Sequence, residues 1–259
     1  MSNLDYVFHL ADSCVVLGQR NAEWCGHGPI LEEDIAMANN SLDLIGQSRL
    51  LYQYAAELRN DGSTEDSLAY FRGPQEFKNY TLLELPHHGA LVGYARDNLD
   101  YSVTIVRNFL YSSFMALVWE KLQASKDSRL AAIASKSLKE VRYHLRHAHD
   151  WLIRFGDGTQ ESHDRAQAAL NHLMPYTQEF WTDSKFETEA MHSGVGVNTK
   201  ALKDDWLSII NNTLLEATLQ LPPSDGFVTS GKSGYHSEHL SYLLDEMQSL
   251  ARAHPEGVW

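Results

Sequence analysis

The sequence of 259 residues contains little cysteine, no excess of basic residues and no long apolar run. Its two cysteines, Cys14 and Cys25, do not form a Cys-x-x-Cys pair, so neither a disulfide framework nor a structural zinc site is expected. The formal net charge of -13 leaves no basic face for nucleic acid or for an anionic membrane. Residues 1–7 lack the basic and apolar regions of a secretory signal, and no segment has membrane-spanning length. We therefore expect a cytoplasmic protein with reduced thiols.

Helical periodicity dominates the chain, and no alternating pattern typical of a β-strand is present. Apolar spacing predicts helices over about residues 3–21, 31–58, 89–124, 128–155, 162–181, 199–221 and 237–253. Residues 60–80 and 182–199 are predicted to be irregular, and Pro175 is expected to kink or break the fifth helix. We predict an all-α, ferritin-like helical bundle of long antiparallel helices with extra C-terminal helices, in a single domain over residues 1–259.

The predicted second helix is apolar on two sides. One face carries Leu31, Ile35, Ala38, Leu42, Ile45, Tyr52 and Ala55. A second face carries Leu44, Gln47, Leu51, Tyr54 and Leu58. A surface helix usually shows a single apolar stripe, so we expect this helix to be buried between neighbours.

Residues 135–151 are similar to the last metal-binding helix of a ferritin-like bundle from which most of the metal chemistry is missing. A di-iron bundle uses Glu-x-x-His turns, because ligands three residues apart share one helix face. Here the residue three positions before His144 is Val141, which cannot ligate iron. Glu140 points about 100° away around the helix. The histidine is present and the carboxylate is not.

Other motifs have a structural interpretation. Gly231-Lys-Ser233 lacks the strand and the full spacing of a phosphate-binding loop, so it is interpreted as a loop and helix cap. His236 and His239 share a helix face without an obvious third ligand, which favours hydrogen bonding near a helix start. Lys78 is ordinarily a solvated charge. If an anionic ligand passes there, Phe77 would stack on it and Lys78 would meet its phosphate.

Five motifs occur in order along the chain. They are Glu23-Trp-Cys-Gly-His27, Leu42-Asp-Leu-Ile-Gly-Gln47, Tyr54-Ala-Ala-Glu-Leu58, Lys139-Glu-Val-Arg-Tyr-His-Leu-Arg146 and Gly231-Lys-Ser-Gly-Tyr-His-Ser-Glu-His-Leu240. On these residues the chain, from about Asp12 to Trp259, resembles the ferritin-like subunits of bacterial phenylacetyl-CoA epoxidase, specifically the C-subunit family of phenylacetic acid degradation proteins, PaaC. The resemblance implies a non-catalytic structural subunit of a multicomponent monooxygenase. That complex epoxidises phenylacetyl-CoA with O2 in aerobic phenylacetate degradation.

The resemblance also implies where metal ligands are missing. The catalytic A subunit of that family is similar in fold and holds the di-iron ligands. Its six ligand positions correspond in this chain to Cys14, Leu44, Gln47, Ser112, Val141 and His144. A lone histidine cannot hold two irons. The implication is no metal, no cofactor and no catalytic residue in this chain, with di-iron in the partner A subunit.

The resemblance implies specific partners. These are the A subunit, in a heterodimer and a higher-order heterotetramer, and a small bridging B subunit. Two segments, matched by position, would form a wall of the CoA channel and contact phenylacetyl-CoA. They are Glu76, Phe77, Lys78 and Asn79, and Glu187, Thr188 and Glu189. No contact with nucleic acid or membrane is implied.

Two alternatives stay open. A ferritin-like oxidase with its own degenerate or mononuclear site would use His144 and Glu140, with Asp43 or Asp100. Such a protein would hold stoichiometric iron or manganese. A chaperone-like or storage bundle would instead be stable alone and would not bind the A subunit.

Overall fold

The structure is a computed structural model that describes residues 2–89 and 99–257. These residues contain ten α-helices and several 3-10 helices, and none of them lies in a β-strand. The α-helices are α1 (Ser2–Ala22), α2 (Leu31–Arg59), α3 (Glu65–Tyr70), α4 (Thr81–Glu84), α5 (Tyr101–Leu122), α6 (Ser128–Gly156), α7 (Gln160–Leu173), α8 (Lys185–Ser193), α9 (Lys203–Glu216) and α10 (Glu238–Ala253). The predicted all-α, ferritin-like helical class is confirmed.

The chain divides into two compact units. Unit 1 comprises Met1–Leu85, Ser184–Ala190 and Thr229–Trp259, and unit 2 comprises Pro86–Asp183 and Met191–Val228. The single domain expected from the sequence stays a prediction. Among the described residues, no helix is both long and apolar enough to cross a membrane.

Unit 1 is organised around α1, which packs along α2 and also contacts α4 and α10. From Tyr6 onward nearly every residue of α1 is buried. Gly18 lies at the contact with α2, where a Cβ would be 3.3 Å from Ile45 Cγ1 and 3.4 Å from Leu44 Cβ. The missing side chain therefore lets the two helices approach closely.

Unit 2 is organised around α5, which packs along α6 and also contacts α7 and α9. Its core is aromatic: Phe114 and Phe180 stack with ring centroids 4.3 Å apart. Trp206 Nε1 donates a hydrogen bond to the Leu110 carbonyl at 3.2 Å. At the end of α6, a Cβ on Gly156 would lie 1.9 Å from the Ala217 carbonyl oxygen, so only glycine fits there.

The structure corrects some predicted boundaries. The third helix was expected from Gly89, but its described part begins at Tyr101, where Asp100 Oδ1 accepts the Ser102 N–H at 2.8 Å as a cap. Residues 90–98 of that prediction lie outside the described residues. Residues 60–80 contain α3, and residues 182–199 contain α8, so the prediction of irregular structure was wrong there. Both helices are short, and a few residues carry too little periodicity to be recognised.

Pro175 acts as predicted, because α7 ends at Leu173 and a 3-10 helix, Met174–Trp181, follows. One helix carries a local group of basic residues. On α6, Lys136, Lys139, Arg142 and Arg146 are exposed, although the chain is acidic overall.

The two apolar faces of α2 have different environments. Leu44, Gln47 and Leu51 on the second face are buried, as expected. Tyr52 and Ala55 of the first face are buried as well. The prediction was wrong for the exposed side chains, which are Leu31, Ile35, Leu42 and Ile45 of the first face and Leu58 of the second. The physical reason is that α1 covers one side of α2 and leaves the other side open to solvent.

Candidate functional site

Three of the six positions that correspond to metal ligands lie in unit 1, where α1 packs on α2. Cys14 Sγ donates a hydrogen bond to Gln47 Oε1 at 3.7 Å, and both side chains are buried. Leu44 is buried beside them on α2. A thiol and an amide satisfy each other here without any charge, so this contact is ordinary helix packing.

The other three positions lie in unit 2. Ser112 Oγ donates to the Asn108 carbonyl at 2.5 Å, one turn back in α5. Val141 and His144 are buried on the inner face of α6. A di-iron bundle needs several inward carboxylates, and these positions supply one hydroxyl, one aliphatic side chain and one imidazole. The six side chains do not fit a di-iron centre.

The carboxylates of the oxidase alternative have other partners. Glu140 Oε1 lies 3.9 Å from Lys136 Nζ on the same helix. Asp100 caps α5 and accepts a hydrogen bond from Arg165 Nη2 at 3.0 Å. Asp43 is half-buried on α2 in unit 1. Within residues 2–89 and 99–257, no three His, Cys, Asp or Glu side chains group in a way that could hold a metal ion.

A buried charge network in unit 1 is centred on Asp12. Arg72 forms an ion pair with the Asp12 carboxylate, and the Tyr52 hydroxyl donates to Asp12 Oδ1 at 2.6 Å. The Lys78 backbone N–H donates to Asp12 Oδ2 at 2.8 Å. The Arg72 guanidinium also lies 4.3 Å from the centre of the Phe77 ring. One carboxylate on α1 therefore holds the segment from Arg72 to Lys78 against the core.

Burial and charge set the protonation of this network. Burial raises the pKa of Tyr52 well above its usual value, and the Asp12 carboxylate raises it further. Burial alone would lower the pKa of Arg72, but Asp12, Tyr52 and Glu76 together outweigh this and the pKa is raised. Both groups therefore hold their protons at neutral pH, so the network is not a source of general acid or base.

A second buried ion pair joins Lys232 Nζ to Glu187 Oε2 at 2.7 Å. The Ser184 backbone N–H and hydroxyl both donate to the same carboxylate oxygen at 2.8 Å. His9 Nδ1 donates to the Lys78 carbonyl at 2.6 Å, and His9 Nε2 lies 3.9 Å from Glu187 Oε1. Burial raises the pKa of Glu187, but the charges of Lys232 and His9 and the hydrogen bonds from Lys232 and Ser184 together outweigh burial, so the net shift is downward. Burial lowers the pKa of His9.

A third buried carboxylate, Glu84, is hydrogen-bonded to three residues. The Ser237 N–H donates to Oε1 at 2.6 Å, and Asn79 Nδ2 donates to Oε2 at 3.0 Å. His236 Nδ1 lies 2.9 Å from Oε2, and its Nε2 lies 2.9 Å from the Phe77 carbonyl. The Phe77 carbonyl can only accept, so Nε2 donates to it, and Nδ1 lies within hydrogen-bond distance of the carboxylate. The predicted hydrogen-bonding role of His236 near a helix start is confirmed.

The residues predicted to contact CoA are mostly committed to these networks. Phe77 and Asn79 are buried, so stacking of Phe77 on a ligand is not possible in this conformation. Glu76 Oε2 accepts the Gly73 N–H at 2.7 Å, and Glu187 is paired with Lys232. Lys78 is half-buried, with Nζ 3.6 Å from Asp5. Thr188 is half-buried and Glu189 is exposed on α8. Their contact with CoA stays a prediction.

Sequence reasoning missed the residues at the centre of the first network. Asp12 follows Leu10 and Ala11 on a helix whose other buried positions are largely apolar, and an acidic residue there signals a buried partner. Arg72 gave no such signal, because it lies in a segment predicted to be irregular. The interpretation of Gly231-Lys-Ser233 as a loop and cap omitted the ion pair of Lys232.

The fold defines an all-α, ferritin-like protein, and none of the six positions that the resemblance assigns to metal ligands holds a carboxylate. The family model for phenylacetic acid catabolic proteins matches residues 1–259. The chain is 39% identical over 254 residues to the C subunit of the 1,2-phenylacetyl-CoA epoxidase from Escherichia coli (strain K12), and the match covers 98% of each chain. The chain therefore belongs to the phenylacetic acid catabolic protein family. This homology supports a role in phenylacetate catabolism within a multisubunit oxygenase.

Proposed function

We propose that this chain is a non-catalytic, structural subunit of a phenylacetyl-CoA 1,2-epoxidase that binds and stabilises the catalytic di-iron A subunit in the cytoplasm. The observation that carries the proposal is the state of the six ligand positions. Cys14 is hydrogen-bonded to Gln47, Ser112 is bonded to its own helix, and Val141 is buried core. By the resemblance, Cys14, Ser112 and Val141 stand where a di-iron bundle would require carboxylates.

The replacement of ligands by apolar side chains has a physical advantage. Inward carboxylates without metal would be buried charges, which are costly unless they are paired. Leu44 and Val141 fill that volume with apolar atoms. A chain that no longer binds metal can then keep a well-packed core and act through its surface.

The proposal extends to the assembly. The A subunit would hold the iron and activate O2, and a separate reductase would supply electrons. This chain would form a heterodimer with the A subunit, assemble into heterotetramers and meet a small bridging B subunit. Lys78 is the positively charged residue among the seven CoA candidates and is partly accessible, so a phosphate contact would fall there first.

The test is the metal content of the chain purified alone and purified with its A subunit, with phenylacetyl-CoA turnover followed in parallel. We expect iron only when the A subunit is present, and turnover only when both chains are present. Close to two irons in the isolated chain would contradict the proposal and favour the oxidase alternative. Failure of the chain to bind the A subunit would favour the chaperone-like or storage alternative.

A further inference from the structure

Two histidines of unit 1, whose side chains are only 2% and 5% exposed, bind consecutive backbone carbonyls of one segment. His236 Nε2 lies 2.9 Å from the Phe77 carbonyl oxygen, and His9 Nδ1 lies 2.6 Å from the Lys78 carbonyl oxygen. A carbonyl only accepts, so both ring nitrogens donate. The Lys78 N–H between these carbonyls donates to Asp12 Oδ2 at 2.8 Å. Three adjoining backbone groups are therefore fixed by side chains. We name His9 and His236 the histidine clamp.

Each ring of the histidine clamp has a buried carboxylate on its other side. Glu187 Oε1 lies 3.9 Å from His9 Nε2, and Glu84 Oε2 lies 2.9 Å from His236 Nδ1. The partner of one ring nitrogen helps to set the orientation of the ring and of the other nitrogen. The two carboxylates therefore help to keep the opposite N–H groups directed at the carbonyls of the segment.

The fixed backbone directs one side chain to the surface. Phe77 and Asn79 are fully buried on either side of Lys78, whereas the Lys78 side chain is 26% exposed. Phe77 has extended dihedral angles, φ -76° and ψ 149°. Successive side chains of an extended segment point to opposite sides. With both neighbours anchored in the core, the Lys78 side chain is presented outward.

His9 also supports the place where the Lys78 ammonium lies. Lys78 Nζ is 5.6 Å from the centre of the Phe186 ring, within the range of a cation–π contact. The Phe186 ring packs in turn against His9, with ring centroids 5.6 Å apart, and Tyr80 meets His9 edge-on at 4.7 Å. His9 therefore contacts both the backbone of Lys78 and the aromatic ring beside its ammonium.

The partner of the Lys78 ammonium at the surface is a weak one. Asp5 Oδ1 lies 3.6 Å from Lys78 Nζ, and the Asp5 side chain is 49% exposed. Exposed ion pairs of this kind contribute little. A phosphate offers more charge and three acceptor oxygens, so it competes well with one carboxylate for the ammonium.

We propose that the histidine clamp positions the substrate's contact residue: His9 and His236 fix the Phe77–Lys78 backbone so that the Lys78 ammonium meets a phosphate of the CoA moiety. This inference rests on the proposed function, which places Lys78 at the CoA channel. The histidines do not touch the substrate themselves. They order the segment when the protein folds, so that less conformational freedom is lost when the substrate binds.

The test uses the complete epoxidase complex, assembled with each variant of this chain, and two substrates. Phenylacetyl-CoA carries phosphates, and phenylacetyl-pantetheine carries none. Lys78→Ala should raise KM for phenylacetyl-CoA about 10-fold and keep kcat/KM for phenylacetyl-pantetheine within about 2-fold of the wild type. Asp5→Asn should lower KM for phenylacetyl-CoA about 2-fold, because it frees the ammonium.

Variants of the histidine clamp should reproduce the selective effect of Lys78→Ala in part. His9→Leu and His236→Leu should each raise KM for phenylacetyl-CoA about 5-fold at unchanged kcat, because one carbonyl of the segment is released. His9→Asn and His236→Gln keep an amide N–H near the donor that each histidine uses, so both should stay within about 2-fold of the wild type. His163→Leu is the matched control, since His163 Nε2 lies 3.1 Å from the Thr218 carbonyl in unit 2. It should change neither substrate.

Each result decides between the inference and its alternatives. If Lys78→Ala is selective for phenylacetyl-CoA but both leucine variants keep the wild-type KM, the inference is overturned and the proposed function stands. The inference also fails if the leucine variants impair both substrates equally, since the histidines then only stabilise the fold. Amide variants as impaired as the leucine variants would show that the carbonyl hydrogen bonds do not position Lys78.

Two further results concern the proposed function itself. If Lys78→Ala affects neither substrate, the CoA contact and the inference fail together, and a requirement of this chain for turnover still supports the structural role. If the chain does not bind the A subunit, the proposed function fails and the inference fails with it.

Discussion

Replacement of Asp12 by alanine would leave the Arg72 guanidinium buried without its carboxylate partner. Asp12 and Arg72 are both buried in unit 1, and their ion pair is supported by the Tyr52 hydroxyl at 2.6 Å and the Lys78 N–H at 2.8 Å. The substitution removes an acceptor from all three donors at once. An unpaired buried charge is among the few causes of a large loss of stability from one mutation.

The magnitude follows from the remaining contacts of Arg72. Its Nε still donates to the Leu68 carbonyl at 2.6 Å, and its Nη1 to the Glu76 carbonyl at 3.0 Å. These two hydrogen bonds still stabilise the buried guanidinium after the carboxylate is lost. We therefore expect a loss of about 3 kcal/mol, at the lower end of the range for breaking a buried pair.

The assay is urea unfolding at neutral pH, followed by circular dichroism. With an m value of ~3 kcal/mol/M, the midpoint should fall by about 1 M. The double variant Asp12→Ala and Arg72→Met removes both charges, so it should cost less than the sum of the single variants. Glu189→Ala is the matched control. Its ion pair with Lys185 is exposed, and its loss should cost about 0.5 kcal/mol or less.

The reasoning would be refuted by a small effect. If Asp12→Ala changed stability no more than Glu189→Ala, the carboxylate would not be the buried partner of Arg72. Additive single and double variants would lead to the same conclusion, since contacting residues are expected to couple.

Two further predictions concern stability. Because burial lowers the pKa of His9 from 6.5, protonation opposes folding, and stability present above about pH 6.5 should fall as the pH drops below it. The lowered pKa of Glu187 adds a second loss of stability as the pH falls below 4.5. The variant His9→Gln should remove the first loss of stability and keep the second. Urea midpoints from pH 4 to 8 measure both. Gly156→Ala should destabilise by about 3 kcal/mol, because its Cβ would lie 1.9 Å from the Ala217 carbonyl oxygen. Gly46→Ala meets nothing within 4 Å, and should instead stabilise α2 by about 0.5–1 kcal/mol in the same urea assay. Equal effects at the two glycines would contradict this contrast.

The long helices could be predicted because each presents several turns of periodic apolar residues. The predicted ends of α1, α2, α6 and α10 lie within one or two residues of those observed. The short helix α3 was missed, although Thr64 and Ser67 form a capping box that begins it. Such a cap occupies four residues and is not distinctive without the helix that follows.

In the candidate site, the sequence predicted a residue's role only where that role follows from the residue's own segment. The hydrogen-bonding role of His236 was predicted from its place before α10. The partners themselves, Glu84 and the Phe77 carbonyl, lie about 150 residues away in the sequence. No local pattern links them.

The sequence by itself determined the helical class and the absence of a Glu-x-x-His turn at His144. Val141, three positions before His144, decides that no Glu-x-x-His turn forms there, whatever the packing. Tertiary structure alone decided the pairs Asp12–Arg72 and Glu187–Lys232, and which apolar face of α2 is covered. The physical reason is that periodicity specifies which faces avoid water, whereas the identity of the neighbour that covers each face depends on how distant segments pack.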